Sequence, residues 1–146
     1  MVAQDRRAVG VDLGSRRIGV AVGDGAGVLA VPWGTIERSG DRATDHRRIT
    51  EVVVETGAVV LVVGLPLRLD GTVGPAAEAV LAEIDELAAT VGVPVESYDE
   101  RLTTVTAERG LKERGMRGRR RRTVIDQLAA TVILQGWLDA ATGPGR

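Results

Sequence analysis

The chain has 146 residues, 44% of them apolar, and a formal net charge of −1, which suits one domain able to bury roughly 68–70% of its unfolded surface. Without cysteine it can form no disulfide, thiolate metal centre or cysteine nucleophile, and with no Phe only Trp33, Tyr98 and Trp137 could stack on single-stranded bases. Neither a signal peptide nor a run of about 20 apolar residues is present, so a soluble cytoplasmic protein with no membrane attachment is expected.

In chain order, three strands are predicted first: Ala8–Leu13, Ile18–Val22 and Val28–Val31. The Gly-containing turns 14–17 and 23–27 between them imply two hairpins and three antiparallel strands. A helix over Asp45–Glu55 places Ile49, Val52 and Val53 on one stripe, with Gly57 placed to end it. His46, the one histidine, falls among Asp45, Arg47 and Arg48 and is read as lying on an exposed helix face.

Val59–Val63 reads as a strand buried on both faces, as in a helix-covered parallel sheet. The stretch Gly64–Gly71 mixes turn and apolar residues, and is read either as a structural turn or as a guide for a nucleic-acid backbone. A second helix starts at Pro75, carries Val80, Ile84, Leu87, Ala88 and Val91 on its apolar stripe, and closes at Gly92. A fifth strand, Val93–Tyr98, precedes a helix over Thr103–Arg114, a loop-like Gly115–Arg122 and a last helix over Val124–Ala140. In that last helix Ile125, Leu128, Ala129, Val132 and Leu138 form the apolar side. No linker or repeat interrupts the series, so residues 1–146 are expected to form one domain, with an ordered core over about 8–140 and a frayed tail at 141–146.

The order predicts an α/β fold: a five-stranded mixed sheet, three antiparallel strands then two parallel, with helices on both faces and the first strand central. This is the element order of ribonuclease H-like nucleases.

Charge is uneven along the chain. Residues 101–122 hold nine Lys/Arg against two Glu, a local +7 that leaves −8 elsewhere. Six of the arginines lie within 114–122, and their mutual repulsion is expected to keep the stretch extended until a polyanion arrives. Arg119, Arg120, Arg121 and Arg122 are therefore candidate substrate-binding residues for a polyanion; a solvated loop is the plainer reading.

Three carboxylates stand in settings that make them useful. Asp12 lies inside an apolar run, Glu100 follows the fifth strand, and Asp126 interrupts Thr123–Ala130. An unpaired buried carboxylate costs several kcal/mol, and oxygen ligands favour hard cations, so a site for Mg²⁺ or Mn²⁺ is the economical expectation. The plainer readings are a structural turn for Asp12, helix capping for Asp99 and Thr103, and a helix-dipole partner for Asp126; Glu100 is a poor N-cap residue.

The stretch Val11–Val22 resembles both the phosphate-binding hairpin of the actin/hexokinase superfamily and the first strand of ribonuclease H-like nucleases. The two-lobed kinases need more chain than 146 residues supply. Four ordered stretches together closely resemble the YqgF/RuvX family, Holliday junction resolvases also regarded as pre-16S ribosomal RNA nucleases. They are Val9–Gly14, Val62–Gly71, Tyr98–Val105 and Val124–Gln135, and the likeness spans about Val9 to Asp139. That resemblance implies that Asp12, Glu100 and Asp126 are the catalytic, metal-holding triad of an endonuclease. The competing class is a nucleic-acid-binding module that keeps the fold without catalysis, and symmetric junction cleavage would call for a homodimer.

Overall fold

The computed structural model describes residues 7–103 and 119–142, with side chains described to Thr103 and, in the last helix, from Leu128 to Ala141. The strands are β1 (Ala8–Leu13), β2 (Arg17–Gly23), β3 (Ala30–Glu37), β4 (Val60–Leu65) and β5 (Val95–Asp99). The helices are α1 (Arg42–Thr56), α2 (Pro75–Thr90) and α3 (Arg119–Thr142), with a 3₁₀ turn at Glu100–Leu102.

The sheet order is β3-β2-β1-β4-β5. β1 pairs antiparallel with β2 and parallel with β4, and β4 pairs parallel with β5. The predicted mixed sheet with a central first strand is the one observed. Alternation along the strands sorts side chains to two cores. Val9, Val11, Ile18, Val20, Leu61 and Val63 pack with Ile49, Val52 and Val53 of α1 and with Val80 and Leu87 of α2. Ala8, Ala21, Val60 and Val62 pack on the other face against Ala129, Ala130, Ile133, Leu134 and Leu138 of α3.

Several boundaries and orientations differ from the predicted ones. β3 begins at Ala30 and runs on to Glu37 through Pro32 and Gly34. Those residues read as strand breakers, but β3 is an edge strand, where a missing donor is tolerated. Its pairing with β2 also carries an irregularity at Val20/Ala21 that absorbs an extra residue. Arg119–Arg122 are not loop: their backbone forms the start of α3. Arginine is a good helix former, and local propensity outweighs the repulsion assigned to the run. The predicted helix over Thr103–Arg114 falls, from Thr104 onward, outside the described residues, as does Gly115–Gly118 of the loop.

On α3 the buried stripe is Ala129, Ala130, Ile133, Leu134 and Leu138, whereas Leu128 is 40% exposed. On α2, Ala88 is exposed and Glu83 is buried in the stripe. His46, expected at the surface, is 4% exposed. Of the expected frayed tail 141–146, Ala141 and Thr142 are helical, and 143–146 lie outside the described residues. Among the described residues no helix is long and apolar enough to cross a membrane.

Candidate active site

Asp12 stands on the sheet face that α3 covers. Val9 and Val11 belong to the core under α1 and α2, so Ala8, Gly10 and Asp12 face the other way. Gly10 brings helix and strand close: a Cβ there would stand 2.7 Å from Leu134 Cβ and 3.4 Å from the Ala130 carbonyl oxygen. A Cβ on Gly23 would lie 3.6 Å from both the Ala8 carbonyl oxygen and Leu138 Cδ1, so Leu138 sits beside Ala8. Rising residue numbers on α3 therefore run toward the start of β1, and the helix is antiparallel to it. The turn of α3 that carries Asp126, one turn before Ala130, then lies on the Asp12 side of Gly10. The Asp126 side chain is outside the described ones.

β4 brings the second carboxylate. Val63 pairs with Val11, so Gly64 follows beside Asp12, and Gly64 itself pairs with Tyr98 just before Glu100. A Cβ on Gly64 would lie 3.2 Å from Glu100 Cγ and would collide with Ile133 Cδ1. The absent side chain thus leaves room for both α3 and Glu100. Asp12 is 4% exposed and Glu100 3%. Two buried carboxylates are gathered at the ends of strands separated only by β4.

A cation missed in the sequence lies at the same end. Arg17 is 7% exposed and two residues along β2 from Gly19, the ladder partner of Asp12, so it shares that face. Its Nε donates to Glu37 Oε1 at 3.4 Å. Among the described residues, Arg17 shares this face with Asp12 and also pairs with Glu37. Its position flanking an apolar run was a usable signal, since a basic residue continuing a buried strand must find an anion. Glycines inside the strand runs, Gly10 and Gly64, were the other missed signal of a close approach.

Glu100 is held by its surroundings. Asp99 accepts the Arg101 N–H at 2.9 Å and caps the 3₁₀ turn, so capping is what Asp99 does. Arg101 also grips the Asp99 carboxylate, with Nη2 to Oδ2 at 2.7 Å, and that guanidinium holds the Asp99 carboxyl below its ordinary range. Its Nη1 reaches the Leu69 carbonyl at 3.3 Å and so ties the loop after β4 to the Glu100 turn. Thr103 donates its hydroxyl to the Glu100 carbonyl at 2.8 Å. The loop after β4 therefore borders the Asp12 and Glu100 end of the sheet, with Leu69 86% and Leu102 69% exposed beside it.

The donor types suit a hard divalent cation: Asp12 and Glu100 are both carboxylates, both buried, on either side of Gly64. Among the described residues no third Asp, Glu, His or Cys joins them.

The family model for RuvX, a Holliday junction resolvase, matches residues 6–140. The chain belongs to the RuvX family. It is 51% identical over 137 residues to a protein of Rhodococcus opacus named "Putative pre-16S rRNA nuclease", covering 91% of this chain and 77% of that one. A protein of Myxococcus xanthus with the same name is 49% identical, covering 94% and 91%. Among solved structures, Thermus thermophilus RuvC in complex with a Holliday junction substrate superposes with a TM-score of 0.58 at 18% identity, over 94% of this chain and 98% of that one. A second structure of that RuvC gives 0.57 at 20%, over 94% and 96%. At such identities these likenesses concern the fold, and the RuvX chain shares that of RuvC.

Proposed function

We propose that this RuvX-family chain is a divalent-metal-dependent endonuclease that hydrolyses phosphodiester bonds in structured RNA or branched DNA. The observation that carries the reading is the pairing of buried Asp12 and Glu100 across a glycine, on the face and at the end where α3 brings the Asp126 turn. Asp12, on the central strand, Glu100 and Asp126 would hold Mg²⁺ or Mn²⁺. Bound there, the cations supply an activated water and charge stabilisation at the leaving oxygen. The chain's own residues hold the carboxylates rigid, keep bulk water from their apolar side and set the scissile phosphate against them. The names borne by the relatives favour ribosomal RNA precursor as the substrate, and the family's description favours a four-way junction.

The test is cleavage of a labelled pre-16S RNA fragment and of a four-way DNA junction, with Mg²⁺, with Mn²⁺ and with chelator. Cleavage of either substrate that chelator abolishes is expected. In parallel, Asp126→Asn should weaken Mn²⁺ binding with little change in melting temperature, whereas a helix-dipole role would do the reverse. Tight binding of both substrates without cleavage under any metal would leave a non-catalytic binding module as the correct reading.

A further inference from the structure

Three polar side chains, two buried and one largely so, meet on the α1/α2 side of the sheet, and the proposed chemistry uses none of them. The side chains of Arg38, Glu83 and His46 are 16%, 8% and 5% exposed. Arg38 Nη1 and Nη2 donate to the two Glu83 oxygens at 2.7 and 3.0 Å, and His46 Nε2 stands 2.7 Å from Glu83 Oε2. The third arm of the guanidinium points elsewhere: Arg38 Nε donates to the Gly14 carbonyl at 2.9 Å.

Gly14 is two residues beyond Asp12, and its N–H donates to the Asp12 carbonyl at 3.0 Å. The turn closes so tightly that a Cβ on Gly14 would stand 2.5 Å from the Arg17 carbonyl oxygen. The backbone of Arg38 is itself fixed, its N–H on the Arg16 carbonyl at 2.9 Å and the next N–H, of Ser39, on buried Asp45 at 2.9 Å. A chain of contacts thus runs from α1 and α2 through one guanidinium into the turn that ends β1.

Buried ion pairs are poor stabilisers compared with apolar packing, because desolvation offsets much of the attraction. A planar fork with fixed donors is good at orienting what it holds. We infer that Arg38 is a positioning residue: anchored on Glu83, it locks the turn after Asp12 and so sets the Asp12 carboxylate for a divalent cation. The inference rests on Asp12 being a metal ligand.

The measurement is Mn²⁺ affinity of the purified full chain, by electron paramagnetic resonance, beside thermal melting. Arg38→Lys keeps the charge but cannot hold Glu83 and Gly14 together. It should weaken Mn²⁺ binding by about tenfold, the size of effect that groups supporting metal ligands have. Val80→Ala trims the same α2 core without touching the turn, so it should lower the melting temperature and leave Mn²⁺ affinity unchanged. Should Arg38→Lys fail to fold, Glu83→Gln keeps the shape of the anchor without its charge and should weaken Mn²⁺ in the same direction. Wild-type Mn²⁺ affinity in the folded Arg38 or Glu83 variant, with only a lower melting temperature, would reduce the network to a brace between helices and overturn the inference. Asp12→Asn serves as the separate control: undiminished Mn²⁺ binding there would defeat the site reading itself.

Discussion

A single oxygen-for-nitrogen exchange at Asp12 separates chemistry from folding. Asn keeps the size of the side chain and removes the charge a cation needs, and it relieves repulsion from Glu100 when no metal is bound. Asp12→Asn should therefore abolish cleavage while melting no lower than wild type in chelator; wild-type turnover by the purified variant would disprove the assignment. Asp12 was legible in the sequence because it sits inside an apolar strand, where a carboxylate is conspicuous, and Glu100 because it follows a strand end beside a second carboxylate and is a poor cap. His46 and Glu83 were not. On a helix, charged positions are read as facing outward, and only the tertiary meeting of α1, α2 and the segment after β3 gives each of them a buried partner. Asp99 shows the reverse case, in which the modest capping reading describes what the residue does.

Between elements, α3 packs tightly on β4 at Gly64. Gly64→Ala would drive a methyl group into Ile133 and against Glu100, and overpacking of this kind costs about 1–3 kcal/mol. The variant should unfold at lower denaturant, and should lose metal affinity as well because Glu100 must yield. Retained affinity with lowered stability would show that Ile133 alone moves. The helix pair on the opposite face carries a pH signature. Burial works to raise the Glu83 carboxyl, but the Arg38 and His46 hydrogen bonds outweigh it and hold it below its ordinary range. A carboxyl depressed on folding contributes stability that is complete above the unfolded value and is lost as pH falls through the folded one. Wild type should thus lose this contribution on acidification below the ordinary carboxylate range, and Glu83→Gln should flatten that limb of a melting-temperature profile; parallel profiles would refute the linkage. Strand and helix existence was legible from periodicity, while ends were missed wherever pairing overruled a local breaker, as at Pro32 and Gly34 of β3.

For the whole molecule, the net charge of −1 conceals a basic segment that leads into the helix bearing Asp126. Phosphate contacts release counterions, so affinity for nucleic acid should fall with salt at a slope of about −0.9 per contact on duplex DNA, or about −0.7 on single strands. Replacing Arg119, Arg120, Arg121 and Arg122 with Gln should flatten that slope and weaken binding to all sequences. Single-turnover cleavage at saturating substrate should change far less, because backbone contacts position the substrate without holding metal. Coincident slopes for wild type and variant would make the arginines ordinary surface residues. The order of elements carried the fold class, since a hairpin pair followed by alternating helix and strand admits few topologies. It carried nothing about the state of residues 119–122, where propensity and charge repulsion oppose each other.

The outer margin of β3 has a consequence for behaviour at high concentration. Gln135 of α3 donates to the Val28 carbonyl at 2.8 Å and accepts the Ala30 N–H at 2.9 Å, occupying with one amide the groups an incoming strand would seek. Two residues on, Pro32 offers no N–H at all. Val28, Leu29, Val31 and Trp33 are all exposed along this margin, a composition that otherwise invites sheet-to-sheet association. Gln135→Ala together with Pro32→Val should therefore make sedimentation shift with concentration more steeply than in wild type, with thioflavin-positive material appearing on prolonged incubation. If the double variant sediments as wild type does, the margin is guarded by something other than that amide and that ring.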